Sequence, residues 1–235
     1  MNAGQRLHHD LERFFLLRQH GGEPRFLARL QRLRAFQRQR LTVSHADLLD
    51  DSRLCPGMTF LLDDVYGGQD LLPVAREIRR ALPKAMRLLP DRVMATSAQA
   101  LAAAILTQEL DEALAGQLGE RLDQPLDDAL YADAYRSLGR QAERRRQLDL
   151  IAGLGHHLDR YIRSRMLQTT FRLVREPAHA AGFANLYDFI DRSFRVMKPV
   201  PSVGRLLDQV AAREAVILVR LFGHHPAPFK DAPND

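Results

Sequence analysis

Several residue types are scarce or missing in this 235-residue chain, and each gap excludes something. Cys55 is the sole cysteine, which rules out a disulfide framework and any zinc site built from cysteines. Tryptophan is absent and aromatics make up only 7% of the residues, too few to interleave with cations as a base-stacking platform requires. No apolar run reaches the roughly 18 residues of a membrane-spanning helix. The 14 glycines and 12 prolines follow no period, so collagen-like and low-complexity chains are excluded. Period-two alternation never runs long enough to build a sheet. The opening residues, Met1 to Asp10, lack the apolar core of a secretory signal, and a soluble, cytoplasmic protein is expected.

What the chain has in abundance is helical periodicity, on a hydrophobic content of 46% that suffices for a core. The fold class expected is all-α, a compact multi-helix bundle of about nine or ten helices with short connections. A first helix runs from about Gln5 to His20 and stops at Gly21-Gly22. A second starts after Pro24, carries Phe26, Leu30, Leu33, Leu41, His45 and Leu48 near one stripe, and stops at Asp50-Asp51-Ser52. Pro56 opens a short helix through Val65, closed by Gly67-Gly68. The pattern from Leu71 to Leu88 predicts a helix with a kink or restart at Pro83. Pro90-Asp91 begins an alanine-rich central helix ending near Leu118-Gly119. Gly139 is the joint between two later helices, Pro177 precedes an amphipathic one, and Ser202 is a good N-cap for the last. Residues 1–222 are thus expected to form a single helical domain, and 223–235, with three prolines, a disordered C-terminal tail.

The net charge of +5 comes from arginine, since Lys84, Lys198 and Lys230 are the only lysines. Arginine suits phosphate and carboxylate recognition. Its two clusters, Arg32, Arg34, Arg38 and Arg40, then Arg140, Arg144, Arg145 and Arg146, are interleaved with acidic or glutamine residues and make nucleic-acid binding an alternative only.

Nine histidines invite a metal or haem reading. His8, His9, His20, His224 and His225 lie near the termini and read as solvated. His45 sits within an apolar stripe, where a satisfied core histidine is the simpler account. His156 and His157 point about 100° apart, with His157 the more inward. Glu176 and His179 have the Glu-x-x-His spacing of di-iron bundles, which needs a second such pair that the chain lacks. His45, His157, Glu176 and His179 are therefore the metal candidates of an alternative reading. Glu214 lies between Val210 and Ile217 on an inward face, so it needs a partner, an arginine from another helix. Gly153-Leu154-Gly155 follows no strand and reads as close helix packing rather than a dinucleotide loop. No nucleophile elbow or phosphate-cradling loop is present, and no catalytic residue is assigned.

The segment Phe60-Leu61-Leu62-Asp63-Asp64-Val65-Tyr66-Gly67-Gly68-Gln69-Asp70 resembles the stretch that names the bacterial FFLEELY-motif family, with Leu61 in place of the second aromatic and Asp63-Asp64 as the acidic pair. The likeness extends to Gln39-Arg40-Leu41 and His45 to Leu49 upstream, and to Leu82 to Pro90, Glu109-Leu110-Asp111, Tyr131 to Tyr135 and Arg213-Glu214 downstream. It implies a single soluble α-helical unit and supplies no reaction. Read physically, Phe60, Leu61 and Val65 anchor a short helix, and Asp63, Asp64, Tyr66 and Asp70 are candidates to line a pocket mouth.

The function expected is a non-enzymatic binding or interaction module, taking a protein partner, a second copy of itself or an apolar small ligand between its helices. The cofactor is left unknown. A metal- or haem-dependent helical enzyme or sensor is the alternative from another class.

Overall fold

In a computed structural model of the chain, residues 3–19, 23–65, 72–88 and 90–230 are described. They contain twelve α-helices and no strand: α1 (Ala3–Gln19), α2 (Pro24–Ser44), α3 (Ala46–Asp50), α4 (Cys55–Phe60), α5 (Leu72–Leu88), α6 (Asp91–Leu118), α7 (Asp128–Ser137), α8 (Gln141–Arg163), α9 (Arg165–Leu173), α10 (Arg175–Ala180), α11 (Ala184–Met197) and α12 (Val203–Phe222). A π-helical turn, Leu61–Val65, continues α4, and a 3-10 turn, Gly119–Asp123, follows α6. The all-α architecture is as the periodicity requires.

The alanine-rich α6 is central, carrying buried residues from Met94 to Leu118. Its small side chains let α1, α2, α7 and α8 pack closely against it. One apolar cluster joins α1, α5 and the first half of α6 through Leu11, Phe14, Leu82 and Ile105. A second joins α4 and α12 through Met58, Phe60, Val203 and Leu206, and a third joins α2, α6, α7 and α12 through Leu33, Leu114, Tyr131 and Ile217.

The longest helix contact is α8 along α12. A side chain on Gly155 would stand 2.9 Å from the Gly204 backbone, so the two axes approach to a distance only glycine permits. At this crossing Asp159 of α8 accepts from Ser202 Oγ at 2.7 Å, from the Val203 amide at 2.8 Å and from the Gly204 amide at 2.9 Å. Ser202 itself accepts from the Arg205 amide, as its N-cap role predicts. Burial raises the Asp159 carboxyl, and these donors outweigh it, leaving the group below its ordinary range. Glu77 of α5 does the same for α11, taking the Asn185 and Leu186 amides. Helix ends here are tied by carboxylates from other helices, which fixes tertiary and local structure together.

Three expectations are revised. The helix after Pro24 does not run on to Asp50: it breaks at His45, whose backbone (φ −122, ψ 30) is not helical. Arg213 takes the Ser44 carbonyl at 2.6 Å, and the Leu48 amide turns to the His45 carbonyl instead. At Pro83, an exposed position, α5 runs on without a restart. Residues 223–230 are not a free tail: Phe229 is 7% exposed and packs on Tyr131 with ring centres 5.9 Å apart. Arg220 also holds the Lys230 carbonyl at 2.6 Å. Residues 231–235 lie outside the described set.

Candidate functional site

Five helices converge on a polar chamber of about 50 Å³ inside the third cluster. Helix α2 contributes Gln37 and Arg40, α6 Asp111, α7 Tyr131 and Tyr135, α8 Arg144 and Gln147, and α12 Glu214. Each lies on the inward stripe of its helix, one or two turns from aliphatic neighbours such as Leu33, Leu114 and Ile217. The apolar patterning that packs the bundle therefore also drags these polar groups indoors.

At one end, Arg40 donates through Nη1 to both Glu214 oxygens at 2.7 Å. His45, fully buried, lies with Nε2 at 3.0 Å from Glu214 Oε1 and Nδ1 at 3.4 Å from Arg213 Nη1. Only the neutral tautomer with the proton on Nε2 satisfies both, since Arg213 must donate and Glu214 must accept. Arg213 goes on to grip Asp47 at 2.5 and 2.8 Å and so spans the break between α2 and α3. Burial raises the Glu214 carboxyl, but the Arg40 guanidinium and the His45 hydrogen bond more than reverse this and hold it at about 2.

The other end centres on Asp111, which accepts from Gln37 Nε2 at 3.2 Å and lies 3.6 Å from Arg34 Nε and 3.9 Å from Arg144 Nη1. Burial pushes its carboxyl up, and Arg144 and Arg34 offset only part of that. Arg144 also holds the Leu110 carbonyl at 3.2 Å and covers the Tyr135 ring at 4.8 Å. Gln147 is oriented by Thr107 at 2.7 Å. Burial raises the hydroxyls of Tyr131 and Tyr135, so both remain neutral donors.

Two features set the chemistry. Arg40 and Arg144 line the chamber with Glu214 and Asp111, two cations to two carboxylates, while Arg34 reaches Asp111 from outside the lining and Arg213 pairs with Asp47. Arg40 Nε is buried without a hydrogen-bond partner, and Phe229 lies beneath its guanidinium at 5.6 Å. A buried guanidinium donor left over in a polar chamber suits an anion.

The comparisons with known proteins place residues 16–228 in one family model, described as a domain of unknown function, DUF8198. The chain belongs to the DUF8198 family. The region matched to DUF8198 takes in every helix that lines the chamber. No curated protein and no solved structure matches the chain.

The residues singled out from the sequence are scattered. Asp63 pairs with Arg38 of α2 and Asp64 with Arg192 of α11 at 3.1 Å, so the two carboxylates diverge. Tyr66 and Asp70 lie outside the described residues. In the same segment Phe60 and Leu62 are the buried anchors, with Leu61 half-buried. His45 belongs to the Glu214 network, and His179 meets Asp188 at 3.0 Å. His157 has a buried Nδ1 without a partner, and Glu176 is exposed on α10. Among the described residues no three histidine, cysteine or acidic side chains gather as a metal-binding group. The arginine partner required for Glu214 is Arg40. Arg144, Asp111, Tyr131 and Tyr135 were not separable from cluster and core residues by pattern; the available signal was that Asp111 keeps helical spacing with the buried Leu114, Ala115 and Leu118.

Proposed function

We propose that the protein is a non-enzymatic binding module that takes a small anion, with a carboxylate or phosphate group, in the chamber between α2, α6, α7, α8 and α12. The observation that carries this reading is the unpartnered Arg40 Nε, buried in a chamber that Arg40 and Arg144 line together. The polar lining favours such a ligand over an apolar one. Most of the two arginine clusters noted in the sequence is engaged within the chain: Arg32 with Asp123, Arg34 with Asp111, Arg38 with Asp63, Arg140 with Glu143 and Arg145 with Asp149, while Arg146 is exposed. This argues against nucleic acid as the partner of those clusters. A soluble, cytoplasmic setting is part of the same proposal, and no helix among the described residues is long and apolar enough to cross a membrane.

Thermal unfolding with increasing inorganic phosphate or acetate tests it. A ligand present at about a hundred times its Kd stabilises by about 2.7 kcal/mol, which for a chain of this size raises Tm by roughly 5–10 °C. The rise is expected to saturate and to vanish in Arg144→Gln, while exposed Arg146→Gln retains it. An unsaturable rise, or one of equal size in both variants, would refute the reading.

A further inference from the structure

The charge of the chain is not spread evenly. Residues 160–175 contain Arg160, Arg163, Arg165, Arg172 and Arg175 and no acidic residue. Removing those five from the 34 basic residues leaves as many as the 29 acidic ones, so this stretch accounts for the whole surplus of +5. Arg163 is engaged with the Val200 carbonyl at 3.2 Å and with Asp159 at 3.7 Å. Arg160, Arg165, Arg172 and Arg175 are exposed, and none is in an ion pair among the described residues.

Among the described residues, the same stretch carries the most exposed large apolar side chains. Met166 and Leu173 are each 75% exposed, with Val174 beside them also exposed. Met166 and Leu173 are seven residues apart on α9 and so share one line along it, about 10 Å from end to end; Arg165 and Arg172, also seven apart, form the adjacent line. Helix α9 has no buried residue. It is fastened by Phe171, stacked on Tyr187 at 4.3 Å with the rings 3° from parallel and set edge-on to Phe194 at 5.4 Å. Tyr187 in turn donates its hydroxyl to the Phe171 carbonyl at 3.1 Å. One face is thus pinned by aromatics while the opposite face projects two apolar tips flanked by unpaired cations.

We propose that this face of α9 docks on an anionic lipid bilayer surface, with Met166 and Leu173 entering the headgroup boundary and Arg165, Arg172, Arg160 and Arg175 meeting lipid phosphates. The charge is complementary to such a surface, and the geometry is that of a short interfacial helix with arginines able to reach sideways from their apolar stems. A protein partner needs about 800 Å² of shaped surface on each side, whereas two apolar tips on a convex helix offer no groove; a fluid bilayer requires none. Single-stranded nucleic acid would call for exposed aromatics to stack on, and the aromatics here are turned inward. This inference does not depend on the chamber.

Flotation of the full chain with phosphatidylcholine vesicles, with and without about a third phosphatidylserine, tests it. Binding is expected only with phosphatidylserine and is expected to fade as salt rises from about 0.1 to 0.5 M. Each of Arg165→Gln and Arg172→Gln is expected to lower partitioning about fivefold, and Met166→Ala with Leu173→Ala to lower it by about tenfold at unchanged charge. All four positions are exposed, so circular dichroism should show the native helix content throughout. Absence of wild-type binding at low salt, equal binding to neutral vesicles, or indifference to either pair of substitutions overturns the proposal. So does retention on RNA at low salt without retention on vesicles.

Discussion

Replacing Glu214 by glutamine keeps the side-chain volume and removes one buried charge. In the folded chain the carboxyl accepts two bonds from Arg40 and one from His45, and it is only 13% exposed. A carboxyl held at about 2 when folded and titrating near 4.5 when unfolded is linked to about 3 kcal/mol of stability at neutral pH. The lower end of the usual cost of stripping one partner from a buried ion pair agrees with that figure. The sign follows from the direction of the shift: the contribution is present above about pH 4.5 and is lost as pH falls from there through about 2. Asp111, whose carboxyl is raised, works oppositely, favouring the fold at low pH and losing that contribution as pH rises; it is present in both proteins and cancels in their difference. Urea unfolding followed by circular dichroism should therefore show Glu214→Gln less stable by about 3 kcal/mol at pH 7 and by less than half of that at about pH 3. A gap below about 1 kcal/mol at pH 7, or one that does not shrink with acid, would refute the argument that Arg40 and His45 hold Glu214 ionised.

Two further perturbations probe the frame around the chamber. Gly155→Ala puts a methyl group 2.9 Å from the Gly204 backbone and 3.1 Å from the Val203 carbonyl oxygen, forcing α8 and α12 apart at a cost of about 1–3 kcal/mol in thermal unfolding; an unchanged Tm would mean the helices do not cross this closely. Phe229→Ala removes the ring that packs on Tyr131 and lies under Arg40, and should cost about 3 kcal/mol and speed amide exchange in the last turn of α12. Exchange and stability equal to wild type would return residues 223–230 to the status of a free tail.

Much of the architecture is readable from the chain because helix-forming periodicity is a local property. The spacing of Leu30, Leu33 and Leu41, the small residues of α6, Gly139 at φ 68 between α7 and α8, and the Ser202 cap all act over one or two turns, and all stand where the pattern puts them. The close packing at Gly155 and the need of Glu214 for an arginine also follow from position alone.

The misreadings share one cause, which is that their partners are distant in the chain. The break at His45 is invisible locally, since Leu41, His45 and Leu48 keep helical spacing; it exists because Arg213, 168 residues away, takes over the carbonyl before it and seats the imidazole on Glu214. Phe229 looks like one aromatic in a proline-bearing tail until Tyr131 and Arg40 are beside it. Asp63 and Asp64, adjacent in sequence, are sent to different helices.

By itself, then, the order of amino acids determined that the chain is helical, roughly where most of the long helices start and stop, and which stripe of them faces inward, because these depend on spacing within a few residues. Which arginine meets which carboxylate, where a donor is left over, and which apolar side chains stay outside were decided only by the packing of the helices. Electrostatic and hydrogen-bond energies depend on separations of a few ångströms in space, and those separations exist only once the bundle has closed.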